Sequence, residues 1–548
     1  MEDDGFMSLK DTFASIASVF GKVSASPTHL SRKARRKSGF DVADLYEGPV
    51  DVRRTGGVAG EGESGPALDE KLRQAYFWIT NHAIISPFYD IEFNDEPPQG
   101  FTLGDCKSRL NLPTDQSYSS FVLLPLLTLV LRRRCLLVGG PGRGKTASAI
   151  LMGVMAGHTL KDIKRAIQHG QPQMTIADLL GNPLPSSLVN AQTMDDVKIS
   201  WRKWLGMRVK IIDEYNRIPT RTQSALLTVL ADDYAELYDQ IYECPPSAWY
   251  LTANDDAGGG TYQVIEALRD RIDVVVKALH FNTRFLRDLL IRIEEEIRPE
   301  EVVPAGLVFS GEQIDRAHRE ILAVGIPPSL LRRIEFFTSH FEFCDVAADQ
   351  IEYKTKDTAK LGGIDWQTVT GQDTGKDRIR DLGSQTRNGL SVRAMMTVLA
   401  YAKALAWFRG FEEVGFEDVR QIMPFVLHDK LVQDPDSPFF EQAGHTSFRI
   451  DRIGWIRKLF DLSCQEFDRL GLEKEDPVAD LLVEIGKGLD GVGEAEVRKR
   501  LATIERHIAE VAKGRKMYGH LFDDVLALKY MHQRYTNYLK WLSWKGGA

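Results

Sequence analysis

The sequence has few cysteines for its length. Its 548 residues include only five, at Cys106, Cys135, Cys244, Cys344 and Cys464. They are odd in number, and none forms the C-x-x-C spacing of zinc and redox sites. Scattered, unpaired cysteines are typical of proteins that fold in a reducing compartment. A disulfide-stapled secreted scaffold is therefore excluded.

Long apolar runs are also missing. The longest extends from Phe121 to Leu131 and contains Pro125, whereas a membrane-spanning helix needs about 20 apolar residues. Glu2, Asp3 and Asp4 stand where a secretory signal would carry basic residues. We therefore expect a cytoplasmic protein without a transmembrane segment.

Positive charge is not in excess. The chain carries 69 Lys plus Arg against 77 Asp plus Glu, a net charge of −8. This balance excludes a protein built throughout to neutralise a nucleic-acid backbone, so any such contact must be local. Hydrophobic residues at 43% and charged residues at 27% are ordinary globular values. At about 100 to 200 residues per domain, the length predicts roughly three to five folded units.

The N-terminal segment combines an apolar stripe with a basic run. Apolar residues recur at alternating spacings of three and four, which predicts a short amphipathic helix. These residues are Phe6, Leu9, Phe13, Ile16, Phe20 and Val23. The basic run SRKARRKS covers 31–38, and the Gly-rich stretch 54–66 predicts a flexible linker. The segment is interpreted either as a solvated tail or as an element that docks on a membrane surface or a partner.

The chain from Leu68 onward predicts an α/β domain followed by helices. Short apolar runs at Cys135, Val209 and Ala248 alternate with helical stretches, a pattern typical of a parallel sheet with ligand chemistry at the carboxyl ends of its strands. The run Phe121 to Leu131 becomes a buried helix. Beyond Thr283 helical periodicity dominates, and the spacing from Val497 to Leu542 predicts a helical hairpin.

We therefore expect four parts. Residues 1–67 form an arm and linker, and 68–282 a nucleotide-binding αβα domain. Residues 283–438 form a helical lid with a polar insertion at about 345–388, and 439–548 a C-terminal helical domain.

A glycine-rich loop is the strongest motif. GGPGRGKT, from Gly139 to Thr146, follows a predicted strand and precedes a predicted helix, which is the context of a phosphate-binding loop. Backbone N–H groups surround the phosphates, Lys145 neutralises their charge, and the Thr146 hydroxyl can bind Mg²⁺. The candidate ATP-binding residues are Gly139, Gly140, Pro141, Gly142, Arg143, Gly144, Lys145, Thr146, Ala147 and Asp213.

Two further strands end in polar residues. Asp213 and Glu214 follow VKII, so that Asp213 can bind Mg²⁺ with Thr146, while Glu214 can activate a water for attack on the γ-phosphorus. Asn254 ends AWYLTAN and can orient that water. Alone, the two acids would be an unremarkable surface turn, and Asn254 with its Asp neighbours would be good turn chemistry. The phosphate loop makes the catalytic interpretation the stronger one.

Together these motifs resemble the AAA+ ATPases, and within them the MoxR-like branch. The resemblance covers about residues 70–435. It is carried by the phosphate loop, by MTIADLLGNPLP (174–185), IIDEYNRIP (211–219) and LRDRID, and by a lid-like block at 389–427.

The resemblance implies an αβα nucleotide domain and a helical lid, assembled as a ring, usually of six, with ATP and Mg²⁺ at each subunit boundary. It implies that Lys145 and Thr146 are Walker A residues and that Asp213 and Glu214 are the Walker B pair. It further implies that Asn254 is sensor one, Arg271 the arginine finger and Arg393 sensor two. A protein client is implied, and a partner with a von Willebrand A domain is plausible.

The sequence also departs from the family pattern. Tyr215 replaces an aliphatic residue, Asn254 lies in TAND, and Arg269 is a second candidate finger. The polar insertion enlarges the lid, and the flanks 1–69 and 436–548 match no pattern of the family.

Three functional hypotheses follow. The first is an ATPase that remodels or activates a partner protein. The second is a nucleic-acid-stimulated motor, since 489–548 carry 11 Lys plus Arg against 7 Asp plus Glu with several aromatics, although a helical core explains the aromatics more simply. The third is an ATP-gated assembly scaffold. A general base at Glu214 disfavours the third hypothesis, because a scaffold does not need one.

Overall fold

The computed structural model describes residues 67–85, 87–104, 108–190, 197–254, 266–280, 282–296, 298–341, 382–473, 476–513 and 520–546. The predicted N-terminal helix, the basic run, the linker and most of the polar stretch 345–388 lie outside these residues.

The helices are numbered in chain order. They are α1 Leu68–Trp78, α2 Ser120–Leu131, α3 Lys145–Met155, α4 Leu160–Ala166, α5 Ile176–Leu180, α6 Pro185–Asn190, α7 Thr220–Asp232, α8 Glu266–Arg271, α9 Leu286–Glu294, α10 Gly311–Ala323, α11 Pro328–Ser339, α12 Val392–Phe408, α13 Phe416–Leu427, α14 Arg452–Leu470, α15 Pro477–Gly486, α16 Glu494–Ala512 and α17 His520–Gly546. Within the described ranges, none is both long and apolar enough to cross a membrane.

Within the described residues, the strands form one five-stranded sheet and four two-stranded ones. They are β1 Ile91–Glu92, β2 Gln99–Leu103, β3 Ser108–Leu112, β4 Ser117–Tyr118, β5 Arg134–Val138, β6 Gln168–His169, β7 Gly181–Pro183, β8 Ile199–Trp201, β9 Val209–Asp213, β10 Tyr234–Leu237, β11 Gln240–Glu243, β12 Ala248–Ala253 and β13 Val274–Lys277. The main sheet is parallel, in the order β13-β5-β12-β9-β6. The small sheets are antiparallel.

The main sheet is buried on both faces. Along β5, Leu137 belongs to one hydrophobic cluster and Leu136 to the other, and β12 alternates in the same way between Tyr250 and Leu251. Successive side chains of a strand point to opposite faces, so a strand buried on both sides reads as a continuous apolar run. The predicted α/β class and its three central strands are confirmed.

Two strands of this sheet were not predicted. β13 pairs with β5 at one edge, and β6 pairs with β9 through Gln168 and His169 at the other. A two-residue strand has no sequence period of its own, because only its pairing with β9 defines it. The sheet therefore has five strands where the sequence indicated three.

Helix α2 is the predicted buried apolar helix. Pro125 lies inside it, and its carbonyl oxygen accepts a hydrogen bond of 2.8 Å from the Tyr250 hydroxyl of β12. The Thr128 hydroxyl lies 2.7 Å from that of Tyr401 on α12. These contacts join α2 to the sheet on one side and to the helical region on the other.

The helical region continues without strands through the described residues beyond Thr283. Phe439, Trp455 and Phe460 belong to the same hydrophobic cluster as α12 and α13. The predicted C-terminal hairpin is formed by α16 and α17, which pack on each other and, with α15, build a separate small core. Helix α17 also contacts α11, which joins this unit to the rest.

Candidate nucleotide site

The glycine-rich loop connects the end of β5 to the start of α3. Gly142 and Gly144 have φ angles of 73° and 76°, a left-handed conformation that only glycine adopts without strain. The loop therefore turns at these positions and leads directly into the N-terminus of α3 at Lys145. The first N–H groups of a helix lack intrahelical partners and favour anions. The loop geometry fits a phosphate-binding site.

Lys145 is buried beneath the loop. Its ammonium donates hydrogen bonds to the carbonyl oxygens of Gly139 at 2.6 Å and Gly140 at 2.8 Å. A third bond, of 3.0 Å, reaches Oδ1 of Asn254 at the end of β12. The lysine therefore links the loop to the neighbouring strand, at the position where a phosphate chain would lie along the loop.

Thr146 and Asp213 lie side by side. The Thr146 hydroxyl donates to Oδ1 of Asp213 at 2.7 Å, and the Thr252 hydroxyl donates to the same oxygen at 2.6 Å. A hydroxyl and a carboxylate oxygen are hard donors that suit Mg²⁺. Within the described residues no group of three or more His, Cys, Asp or Glu could hold a metal ion. The hydroxyl of Thr146 and the carboxylate of Asp213 fit a Mg²⁺ ion that arrives with phosphates, because Mg²⁺ uses few protein ligands.

Glu214 follows Asp213 in a left-handed conformation, with φ of 53°. Such a conformation is uncommon for a residue other than glycine. Residues that adopt it are found more often at functional sites than elsewhere. The Glu214 N–H donates to the Thr252 hydroxyl at 2.9 Å. The carboxylate accepts a hydrogen bond of 3.0 Å from the Asn254 amide and pairs with Arg217 at 3.2 Å. The backbone turn directs Glu214 away from the pair formed by Thr146 and Asp213.

Asn254 occupies the centre of this network. Its oxygen accepts from Lys145 while its amide nitrogen donates to Glu214. The candidate residues from the loop and from the ends of β9 and β12 are therefore brought together at one edge of the sheet. Carboxyl ends of parallel strands meet there, which is why sequence reasoning located them.

Three residues near the site were missed. Thr252 holds both Asp213 and Glu214, and its position two residues before Asn254 on β12 was the available signal. His169 places Nδ1 3.3 Å from Oδ2 of Asp213, and the Gly170 N–H donates to the Asp213 carbonyl at 2.7 Å. No sequence signal pointed to these two, since β6 is only two residues long.

Tyr215 departs from the family pattern for a packing reason. It is 4% exposed and belongs to the hydrophobic cluster on one face of the sheet. Burial raises the pKa of its hydroxyl. Its ring therefore takes the core position of an aliphatic side chain.

A cavity of about 550 Å³ opens beside the loop. Its walls include Gly142, Gly144 and Ala147 of the loop and helix, and the apolar side chains of Ile84 and Leu289. A cavity with one phosphate-binding wall and apolar sides has the shape and chemistry of a nucleotide pocket, in which the base contacts the apolar surface.

The three candidate arginines lie elsewhere. The N–H of Asp273, two residues after α8, donates to the carbonyl oxygen of Arg134 at the start of β5. The C-terminal end of α8 therefore lies at the amino edge of the sheet, opposite the loop. Arg269 is bound to Asp429 at 3.0 Å. Within the described residues Arg271 has no hydrogen bond or ion pair, and its Nε is buried without a partner.

Arg393 lies at the same edge. It is the second residue of helix α12, two positions after the N-cap Ser391. Its guanidinium pairs with Asp270 at 2.9 Å, and the Ser391 hydroxyl donates to the same carboxylate at 2.8 Å. Arg271 and Arg393 are thus neighbours of one another and are separated by the length of the sheet from the loop of their own chain.

Comparison with known proteins shows which chains this one resembles. The AAA lid domain family matches residues 383–449, the segment that contains α12 and α13. Chaperone MoxR1 of Mycobacterium tuberculosis is 24% identical over 319 residues, which cover 57% of this chain and 71% of that protein. The predicted resemblance to MoxR-like AAA+ ATPases is confirmed.

The chain combines a parallel α/β sheet, a helical lid and a helical C-terminal region, as predicted. A crystal structure of a putative ATPase from Cytophaga hutchinsonii is also similar, with a TM-score of 0.43 and 19% identity, over 62% of this chain and 89% of that one.

Proposed function

We propose that this protein hydrolyses Mg-ATP at the loop from Gly139 to Thr146. The observation that carries the proposal is the hydrogen-bonded network in which Lys145, Asn254 and Glu214 connect the loop to two strand ends. Each member has a residue type suited to one part of phosphoryl transfer. AAA+ membership supports the same activity.

The chain's residues divide the work. The loop N–H groups and Lys145 bind and neutralise the phosphates, and Thr146 and Asp213 hold Mg²⁺, which when bound offsets the charge on the β- and γ-phosphate oxygens. Asn254 orients the attacking water, and Glu214 accepts its proton. Asn254 and Arg217 hold the Glu214 carboxylate in place through one contact to each oxygen, and the remaining lone pairs of these oxygens can accept the proton.

Arg271 and Arg393 serve the next subunit in this proposal. Both lie at the sheet edge opposite their own loop, and Arg271 has no partner within the described residues. Arg269 is the weaker candidate finger because Asp429 already binds it. An arginine supplied in trans requires an assembly, and we propose a ring, with six subunits as in the resembling family.

The hydrolysis energy would remodel or activate a protein client. The curated relative is called a chaperone, and a partner with a von Willebrand A domain belongs to this proposal. The four-part division at 67, 282 and 438 and a cytoplasmic location also remain proposals. Phe439 and Trp455 pack in the same core as the lid helices, so the boundary at 438 does not coincide with a change of core.

A nucleic-acid motor is the second candidate. On α17, Tyr530, Trp541 and Trp544 are 50%, 45% and 73% exposed, so the helical core does not take up all the aromatics of this segment. Exposed aromatics beside basic residues can stack on bases. ATPase assays with and without single- or double-stranded DNA separate the candidates, because only a motor is stimulated.

The deciding experiment compares Glu214→Gln with Lys145→Ala. We expect Glu214→Gln to keep ATP affinity and lose about two to four decades of turnover, the range for removal of a positioned base. Lys145→Ala should lose ATP binding. Glu243→Gln, an exposed acid on β11, is the matched control and should behave as wild type. Equal loss of ATP affinity in both site variants would contradict the assigned roles.

A further inference from the structure

A second cavity lies far along the chain from the nucleotide motifs. It measures about 570 Å³ and is enclosed by α11, α12, α14, α15, α16 and α17. Its walls are mainly apolar and include Leu331, Met395, Leu399, Phe467 and Leu482. Leu331 and Leu482 remain 37% and 40% exposed. The cavity therefore presents an open apolar surface where the C-terminal hairpin meets the lid helices.

Acidic side chains surround this apolar surface. Its lining contains five carboxylates, Glu335, Asp476, Glu510, Asp523 and Asp524. The basic groups in the lining are Arg332, which pairs with Asp480 outside it at 3.7 Å, and His507, which lies 3.4 Å from Glu510. The cavity thus has a strong excess of negative charge over apolar walls.

Asp524 shows that this charge is not compensated locally. Within the described part of the chain, its carboxylate has no hydrogen bond and no ion pair. Burial, and then the nearby charge of Asp476, raise the pKa of Asp524 to about 7. Burial and Asp476 also raise the pKa of Glu335, against a smaller effect of Arg332. A cationic group placed here would relieve both carboxylates.

The chain itself contains a segment of matching chemistry. The run SRKARRKS at 31–38 supplies five cations, Arg32, Lys33, Arg35, Arg36 and Lys37, and no acid. The stretch 6–23 before it supplies the large apolar side chains of the amphipathic stripe. Apolar side chains match the walls, and five cations match five carboxylates.

We propose that residues 6–37, here called the arm, dock in this acidic cavity of their own chain. Neither the lid family match, which ends at 449, nor the nucleotide site assigns a role to this surface. The docking does not depend on ATP hydrolysis. It would occupy the C-terminal surface that a client or an assembly partner could otherwise contact.

The connection is long enough for this docking. Residues 38–67 separate the basic run from α1, and about thirty residues span at most about 100 Å when extended. Arg73 of α1 donates to the carbonyl of Phe408 at 2.6 Å, at the end of α12. Met395 and Leu399 of that same helix line the cavity. Since α12 has 17 residues, it is only about 25 Å long.

The test uses the full-length chain with its own arm disabled. Arg32, Lys33, Arg35, Arg36 and Lys37 are replaced by Glu, and a labelled synthetic peptide of residues 1–38 is titrated against this arm-reversed chain at low salt. We expect saturable binding that weakens as salt is added, because charge pairs at a partly open surface are screened.

Cavity variants locate the binding site. In the arm-reversed chain, Asp524→Asn combined with Glu335→Gln should weaken peptide binding at least about tenfold. Asp490→Asn, an exposed acid outside the cavity, is the matched control and should leave binding unchanged. All three replacement side chains are close in size to the original ones. A thermal melt of each variant checks that it is folded.

Hydrogen exchange examines the intact protein. If the arm is docked, amides of Pro328–Ser339 should exchange at least about tenfold faster in the arm-reversed chain than in wild type. Three results would overturn the proposal: no peptide binding, equal binding to cavity and control variants, or binding of the peptide only to vesicles rich in phosphatidylserine. Unchanged exchange in the arm-reversed chain would overturn it as well.

Discussion

Gly170 provides the sharpest test of the site geometry. It follows β6, and a Cβ atom at this position would lie 2.2 Å from the Glu214 carbonyl oxygen and 2.9 Å from its carbonyl carbon. Both atoms belong to the backbone, so no side chain can rotate away. We predict that Gly170→Ala forces the strand end away from the segment that carries Asp213 and Glu214.

The size of the effect follows from these distances. Contacts under 3.0 Å are essentially never observed for a Cβ atom, so the two backbones must separate by about 0.8 Å or more. The hydrogen bond from Gly170 to Asp213, now 2.7 Å, would lengthen to about 3.5 Å, the limit of a hydrogen bond. Overpacking costs about 1–3 kcal/mol and the lost bond about 1 kcal/mol. We expect a loss of about 2–4 kcal/mol in the free energy of unfolding.

Activity should fall more than stability suggests. A displacement of about 1 Å in a catalytic group can cost about 10²-fold in rate, and Asp213 and Glu214 both move with the backbone. The assays are thermal unfolding and steady-state ATP turnover. Gly486→Ala, where a Cβ meets open space at the end of α15, is the control and should be neutral or slightly stabilising. A Gly170→Ala protein with unchanged melting temperature and turnover would refute the reasoning.

Three further outcomes are expected. Thr252→Val removes the hydroxyl that holds Asp213 and the N–H of Glu214. We expect kcat to fall about 10–100-fold while the melting temperature changes by no more than about a few degrees. An unchanged kcat would contradict this role. Arg271→Ala and Lys145→Ala should each be inactive alone yet regain ATPase activity when mixed, and mixed rings without activity would exclude Arg271 as the finger in trans. Burial lowers the pKa of His428 to about 4. Between pH 6.5 and 4 the unfolded state therefore binds a proton that the folded state does not. The free energy of unfolding should fall across this range by at most about 3 kcal/mol. His428→Gln should flatten that part of the stability profile measured by urea unfolding, and an unaltered profile would contradict the assignment.

The central site was accessible from sequence because its residues follow buried strands. Asp213 ends one apolar strand pattern, Asn254 follows another, and Lys145 lies in the loop motif after a third. The carboxyl ends of parallel strands share one edge of the sheet, which brings these residues together. Thr252 lies inside an apolar run, where an isolated hydroxyl reads as a core residue. Its spacing of two residues from Asn254 was the available signal, but its contacts with Asp213 and Glu214 become visible only once β12 is placed beside β9.

Contacts between distant segments could not be predicted. Arg269 is bound to Asp429, 160 residues later, and Arg393 to Asp270 across 123 residues. No local pattern indicates such pairs, because they depend on how the lid packs against the sheet. For the same reason the sequence, which favoured Arg271 as the finger, still left Arg269 as a second candidate. Packing binds Arg269 to Asp429 and leaves Arg271 without a partner within the described residues.

The position of Arg271 and Arg393 at the amino edge also bears on how the protein behaves on dilution. Strand β5 has five residues and therefore separates that edge from the loop by about 16 Å, which is farther than an arginine side chain extends. If Arg271 acts in trans as proposed, a single subunit contains a nucleotide pocket but cannot complete it. Specific activity should consequently rise with protein concentration and reach a plateau once neighbouring subunits are fully associated, so that catalysis itself reports assembly.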